Sequence, residues 1–301
     1  MNKADDEAWY YLGLAFFHQP KKIKDAGKAF ETAVKLRPAF AAAHVGLAYT
    51  HLWRNKSSEA VQVSRTALNL DPSLAEPHHI IGVVHLNAGD PDEALTEAKE
   101  AIRLNSELPA GYRLKSQALV SVYAKRTLAS SLASKTSSSP QTPKHRAERH
   151  KRRLESTAVF KEAAESLAIY LRLDPSSSSA DYLREQLVSL TFYVRYTGDK
   201  TNVDDAPYSA DEVRTKARVL AKPEPAYTES AREALVTGTV VLQAVFSADG
   251  KVRHILVLAG LPNGLTETAV RAARQIKFTP ATIDLRPVST FVRLEYNFNL
   301  Y

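Results

Sequence analysis

The stretch GTVVLQAVF-SADGK-VRHILVL, residues 238–258, decides how this chain ends. Gly238 opens an apolar run, Val240 to Phe246, which turns at Asp249-Gly250 into a second run, Val252 to Leu258. Asp and Gly tolerate the positive φ of tight turns, so two β-rich runs around them predict an antiparallel hairpin. Ser247-Ala248 ahead of Asp249 leaves room for a loop longer than two residues. Downstream, Leu265, Ala269, Ala272, Ala273 and Ile276 recur at helical spacing, a narrow apolar face suited to packing on a sheet. Phe278 is placed to plug that layer, and Pro280 stops the helix. A last strand, Val288 to Leu300, alternates Val288, Thr290, Val292, Leu294, Tyr296 and Phe298 with a mostly polar set. Upstream lie Lys222-Pro223-Glu224-Pro225-Ala226-Tyr227 and a short helical stretch, Ser230 to Ala234.

A final strand with no successor is expected at a sheet edge, where unpaired backbone groups can take an extended peptide by strand addition. The candidate binding residues of that edge are Ser289, Phe291, Arg293, Glu295 and Asn297. Two alternatives stay open: Arg293 and Glu295 keep the edge harmless, or it pairs with a second copy in a homodimer.

The joint order of these elements over 222–301 resembles the C-terminal domain of TonB, the periplasmic end of the energy transducer serving outer-membrane transporters. The matching features are the Pro-x-Tyr lead, the Gly-x-Val strand start, the Asp-Gly hairpin, the Ala-rich helix closing on Phe278-Thr279-Pro280-Ala281 and the aromatic last strand. The resemblance implies a domain that grips a short extended segment of a transporter. Two places depart from the pattern: Tyr227-Thr228 replaces Tyr-Pro, and Asp284-Leu285-Arg286-Pro287-Val288 replaces Asp-Gly-x-Pro-Val. Leu at a position that often needs positive φ predicts a different turn there.

The first half repeats. Pro38 and Pro72 stand 34 residues apart, and Ala26, Ala60, Ala94 and Ala33, Ala67, Ala101 keep that period. Leu12-Gly13, Val45-Gly46 and Ile81-Gly82 lie upstream in each unit. Asp90-Pro91-x-Glu93 adds an N-cap, an N1 proline and a capping-box acid. The pattern resembles the tetratricopeptide repeat (TPR), paired helices crossing at small residues, with three units over roughly 6–106. A fourth begins at 112–124 and is interrupted before its second helix at 160–173; residues 180–194 are expected to close the solenoid. Projecting the concave groove gives Tyr10, Leu14, Phe17, His18, Leu47, Thr50, His51, His79, Val83, Asn87, Arg113 and Gln117. The family's carboxylate clamp needs Lys, Arg and Asn, and only Asn87 and Arg113 offer anything similar, so a clamp is not expected. The competing reading has these residues packing between units.

The fold class is therefore α+β in two domains: an all-α TPR solenoid, then a small antiparallel three-stranded sheet with helices on one face. The boundaries read 1–126 for the first repeats, 127–153 for a Ser/Thr-rich then basic insertion, 154–196 for the remaining helices, 197–221 for a protease-sensitive linker with 209–220 as an optional docking helix, and 222–301 for the TonB-like domain. The net charge of +7 sits almost wholly in the insertion: 127–153 carries seven Lys or Arg against Glu148. Its first part is flexible by composition; 144–153 extends the following helix as a basic spur. Without interleaved aromatics, the spur argues against nucleic acid.

No phosphate-loop glycines, Cys or Gly-x-Ser-x-Gly elbow occurs, and His44/His51 and His78/His85 lack ligand partners at metal spacing. The expectation is a non-enzyme with no cofactor and no metal. No apolar run is long enough to span a membrane, so a signal or anchor is expected upstream of Met1 if the chain works in the periplasm or envelope, and a cytoplasmic setting if none precedes it. The reading is a cell-envelope protein–protein adaptor: the edge strand takes a transporter-type peptide and the TPR groove a second partner, in energy-coupled transport. The alternatives are a pure scaffold with a structural or dimerising TonB-like module, and a basic polymer-binding envelope protein.

Overall fold

Small residues set the helix spacing of the first half. The computed structural model describes residues 5–134, 143–198, 206–209 and 212–300, with backbone alone at 20, 129–134, 143–153 and 197–198. Helices α1 (Asp6–Phe17), α2 (Ile23–Leu36), α3 (Ala41–Trp53), α4 (Ser57–Leu70), α5 (Glu76–Ala88) and α6 (Pro91–Leu104) pack as consecutive pairs, α1 on α2, α3 on α4 and α5 on α6. Ala26, Ala33, Ala60, Ala67, Ala94 and Ala101, the 34-residue alanines, are all fully buried at the crossings. The repeat glycines have a specific reason. A Cβ at Gly13 or Gly46 would lie 2.6 or 2.5 Å from the ring of Phe30, which fills the gap between their helices. Asp90 stands at the N-cap with Pro91 behind it, but its side chain makes no capping bond, so the expected capping box does not form.

Two elements run longer than their composition suggests. α7 (Pro109–Ser134) continues eight residues into the stretch expected to be flexible from 127; residues 135–142 lie outside the described residues. Helix propagation explains this: once nucleated, each further residue adds a hydrogen bond, and Ser is only mildly unfavourable. α8 (Pro143–Leu173) begins before the basic stretch 144–153, whose backbone is helical as expected. α9 (Ala180–Gly198) forms the closing helix and pairs with α8.

The chain divides into two compact units, residues 1–118 with 229–236, and 119–228 with 237–301, so the division falls within α7 rather than at 197–221. In the second unit the rings of Tyr123 (α7), Phe160 (α8) and Tyr193 (α9) succeed one another at 4.5 and 5.5 Å. The sheet follows: β2 (Gly238–Phe246), β3 (Val252–Ala259) and β7 (Thr290–Phe298), antiparallel in the order β3-β2-β7, Gly238 opposite Phe298 and Phe246 opposite Thr290. Ser247 N–H to Lys251 carbonyl closes the hairpin at 3.0 Å around Ala248-Asp249-Gly250, a loop longer than two, with Gly250 at φ +80. α11 (Leu265–Arg274) lays Leu265, Ala269, Ala272 and Ala273 on β2 and β3, and Phe278 stacks on Phe246 at 4.0 Å.

Of the stretch 197–221, residues 199–205 and 210–211 lie outside the described residues; the described parts 206–209 and 212–221 are paired to neighbouring strands, and 212–220 is not helical. Tyr208 bridges Thr290, Thr215 bridges Thr282, and β1 (Arg218–Ala221) pairs with β4 (Lys277–Thr279). The apolar Val219 and Leu220 satisfy a two-stranded ribbon as readily as a helix, and β4 supplies the partner. The single strand expected over Val288–Leu300 is two. β6 (Arg286–Val288) pairs with β5 (Ala281–Ile283), and β7 starts after Ser289. Asp284 and Leu285, at φ 48 and 65, make the β5–β6 turn, so the departure from Asp-Gly leaves a Leu in the left-handed region, 94% exposed. Between 221 and 238 lies one short helix, α10 (Glu229–Glu233), with Ala231 fully buried.

Candidate functional site: the edge of strand β7

Strand β7 has a buried face, with Thr290, Leu294, Tyr296 and Phe298 below 9% exposure, and an outer face carrying Arg293, Glu295 and Asn297. Its backbone alternates too. Phe291 N–H donates to the Tyr208 carbonyl at 3.0 Å and so faces away from β2. The strand period of two turns the backbone groups of Arg293, Glu295 and Asn297 the same way. The Glu295 carbonyl accepts from Lys222 Nζ at 2.7 Å, and that ammonium lies 4.4 Å over the Tyr296 ring. Among the described residues, no other segment bonds to the outward backbone groups of Arg293 or Asn297, nor to the N–H of Glu295.

The five sequence candidates thus separate. Ser289 is engaged twice: its carbonyl accepts from Tyr208 N–H at 2.8 Å and its hydroxyl from Ala248 N–H at 3.1 Å. The Phe291 ring packs against Tyr193 and Tyr196, centroids 5.8 and 4.7 Å away. Arg293, Glu295 and Asn297 remain outward, Arg293 Nε 3.2 Å from Glu295 Oε1 and Asn297 Oδ1 accepting from Thr239 Oγ1. An exposed pair of this kind is worth well under about 1 kcal/mol and opposes an incoming strand little.

The opposite edge, β3, is closed by side chains from α9. Gln186 Nε2 donates to the Ile255 carbonyl at 3.2 Å while its Oε1 accepts from Val257 N–H at 3.4 Å, copying the bonds of a neighbouring strand. Tyr193 Oη donates to the His254 carbonyl at 3.3 Å, and Phe192 stacks on the His254 ring at 3.8 Å. His254 has φ 46, at the irregular register between β2 and β3. Burial, then the neighbouring Arg253 charge, lowers its pKa, favouring the neutral ring for stacking.

The expected helix-groove residues form no single open surface. Tyr10 packs against Phe30 and Phe40 at 5.9 and 5.0 Å, Phe17 against Tyr49 at 5.9 Å. Leu47 is buried, and Thr50, also buried, donates its hydroxyl to the Leu47 carbonyl. Leu14 joins the cluster around Phe30, and Val83 is half-buried. His51 lines a cleft of about 240 Å³ with Lys24, Lys28 and Arg54. His18, Asn87 and Gln117 are exposed, and Arg113 is half-buried. His18, Asn87, Gln117, Arg113 and the cleft-lining His51 keep solvent access, while the aromatic members pack between helices.

Residues 223–300 match the family model of the Gram-negative bacterial TonB protein C-terminal. Residues 21–75 match that of the tetratricopeptide repeat. The chain joins a TPR region to a TonB C-terminal domain. Among solved structures it is similar to YrrB, described as a TPR protein with an unusual peptide-binding site, at 17% identity over 61% of this chain and 93% of that one, TM-score 0.36. MamA is similar at 16% identity over 58% and 81%, TM-score 0.39. An O-GlcNAc transferase mutant of Thermobaculum terrenum is similar at 21% over 38% of this chain, which spans only 23% of that enzyme, TM-score 0.35. A comparison with curated proteins finds no match.

The residues that close or crowd the TonB-domain edges, Gln186, Tyr208 and Lys222, are absent from the sequence-derived set. Each acts from outside the strand it touches, so no local pattern marks it. In the TPR region, His79 Nδ1 lies 3.3 Å from the Tyr49 hydroxyl. Burial, aided by the Arg113 charge, pushes its pKa down to about 4. The fold holds the ring neutral, so its contribution is complete above the unfolded value near 6.5 and is lost as pH falls from there towards 4. The TPR region should lose up to about 3 kcal/mol across that window, and His79→Gln should flatten the dependence. Urea titrations at pH 7 and 4.5 read this directly; equal slopes for the two proteins would contradict it.

Proposed function

We propose that this chain is a non-catalytic protein-interaction adaptor of the Gram-negative cell envelope, with the outer edge of β7 taking an extended peptide of an outer-membrane transporter by strand addition. The supporting observation is the asymmetry of the sheet: β3 is closed by Gln186, whereas Arg293, Glu295 and Asn297 of β7 direct backbone groups outward. The TonB C-terminal match is consistent with a role in energy-coupled transport. A second partner would meet the TPR region at His18, Asn87, Arg113 and Gln117. No helix among the described residues is long and apolar enough to cross a membrane.

The test compares Arg293→Pro with Arg293→Ala. Proline removes an outward N–H and disturbs the strand, whereas alanine leaves the ladder intact. A synthetic peptide from a transporter's periplasmic plug should bind the proline variant at least roughly tenfold more weakly, and the alanine variant within about twofold of wild type. Circular dichroism must show both folded. Equal affinities, or chemical shifts moving only within residues 10–117, would place recognition in the TPR region and favour the pure scaffold.

A further inference from the structure

The β7 edge is already paired at one point by this chain itself. Residues 206–209 run beside its first half, Tyr208 forming a parallel bridge to Thr290 through its N–H to the Ser289 carbonyl at 2.8 Å and its carbonyl from Phe291 N–H at 3.0 Å. The segment is pinned one residue earlier. Tyr196 Oη, on α9, donates to the Pro207 carbonyl at 3.1 Å, and the Tyr196 ring meets Phe291 edge-on at 4.7 Å. Further along, Lys222 Nζ occupies the Glu295 carbonyl. An incoming strand cannot take Phe291 N–H or the Ser289 carbonyl while Tyr208 holds them, nor the Glu295 carbonyl while Lys222 does.

We propose that residues 206–209 are an internal competitor that limits peptide capture at β7. The inference rests on the strand-addition reading above. With the segment in place, a visitor has the window Arg293–Asn297, roughly 13 Å of strand less the Glu295 carbonyl that Lys222 holds; with it displaced, the window extends back to Ser289, roughly 27 Å. Peptides that pair only with the short window bind weakly, and longer ones must first release Tyr208. The occupant to be displaced pairs through the Tyr208 backbone, so the competing ligand is also an extended peptide rather than a helix, whose backbone groups are already paired within it. The arrangement also covers part of an edge that would otherwise template aggregation. Tyr196, placed on the closing helix, is a positioning residue for the competitor.

Tyr208→Pro deletes the N–H donated to Ser289, and Tyr196→Phe deletes the hydroxyl that holds Pro207 while keeping the ring. In the full chain both variants should expose Phe291, raising its amide exchange rate roughly tenfold, and the same transporter plug peptide should bind each roughly tenfold more tightly than wild type. Adding the peptide should slow that exchange again. Unchanged peptide affinity in variants that exchange faster would overturn the competitor while leaving strand addition standing. Exchange at Phe291 that is unchanged in both folded variants would overturn the competitor at its base. Binding to none of the three proteins would sink the strand-addition reading, and the competitor's role with it.

Discussion

Phe30→Ala should destabilise the TPR region by about 3–5 kcal/mol, the usual range for deleting a fully buried aromatic ring. Phe30 is 0% exposed, and its ring occupies the space that Gly13 on α1 and Gly46 on α3 leave open. It also touches Ala26 and Leu47, with the Tyr10 ring 5.9 Å away, so one side chain joins α1, α2 and α3. The glycines give the prediction a second, sharper arm. Gly46→Ala in the wild type sets a Cβ 2.5 Å from the ring and should cost about 1–3 kcal/mol by overpacking. In the Phe30→Ala background the obstruction is gone, and alanine's better helix propensity should make the same change stabilising by up to about 1 kcal/mol. A reversal of sign in the double-mutant cycle, read by urea unfolding, would establish that repeat spacing here is a Phe–Gly fit. Two additive losses would refute it.

That fit was half legible in the sequence. The 34-residue period of Pro38, Pro72 and the paired alanines gives the helix pairs directly, since small residues at fixed spacing mark close crossings. The hairpin at Asp249-Gly250, the Ala-rich α11 and the plugging Phe278 were equally readable, because turn chemistry and periodicity are local. What the groove presents was not. Tyr10, Phe17, Leu47 and Thr50 fall on the concave side by register, yet neighbouring rings and helices bury or crowd them. Register gives a direction, not the size of whatever stands there.

The edge shows the same limit from another side. Alternation along 288–300 identifies the outward set, but the break at Ser289 depends on Ala281 claiming Val288 for β5–β6. Arg218-Val219-Leu220-Ala221 carries no sign that Lys277–Thr279 will pair with it. Gln186 reaches Ile255 across 69 residues, and an isolated glutamine on an amphipathic helix reads as solvent-facing. Long-range pairing decides which edge is closed, and therefore where a peptide can go.

Tyr193→Ala should lower the stability of the unit formed by 119–228 and 237–301 by about 3–5 kcal/mol and do so for helices and sheet together. Tyr193 is 1% exposed, its ring lies 5.5 Å from Phe160 on α8 and 5.8 Å from Phe291 at β7, and its hydroxyl reaches the His254 carbonyl of β3. Burial raises its pKa well above the ordinary tyrosine value, so the hydroxyl stays protonated and able to donate. Tyr193→Phe keeps the ring and loses the hydroxyl's hydrogen bonds, to the His254 carbonyl and to the Gln243 side chain, and should cost about 1–2 kcal/mol. The large difference between the two variants separates packing from hydrogen bonding. It also bears on domain independence: α9 contributes Gln186 to the β3 edge, Tyr193 to the core beneath it and Phe192 to the His254 ring, so the TonB-type sheet is built onto the closing helix. In urea, far-ultraviolet dichroism and amide exchange at Leu242 and Leu256 should report one transition in both variants, shifted to lower denaturant. If Tyr193→Ala frees the helices while those strand amides keep wild-type protection, the sheet folds without α9, and a protease cut within 197–221 would release it intact.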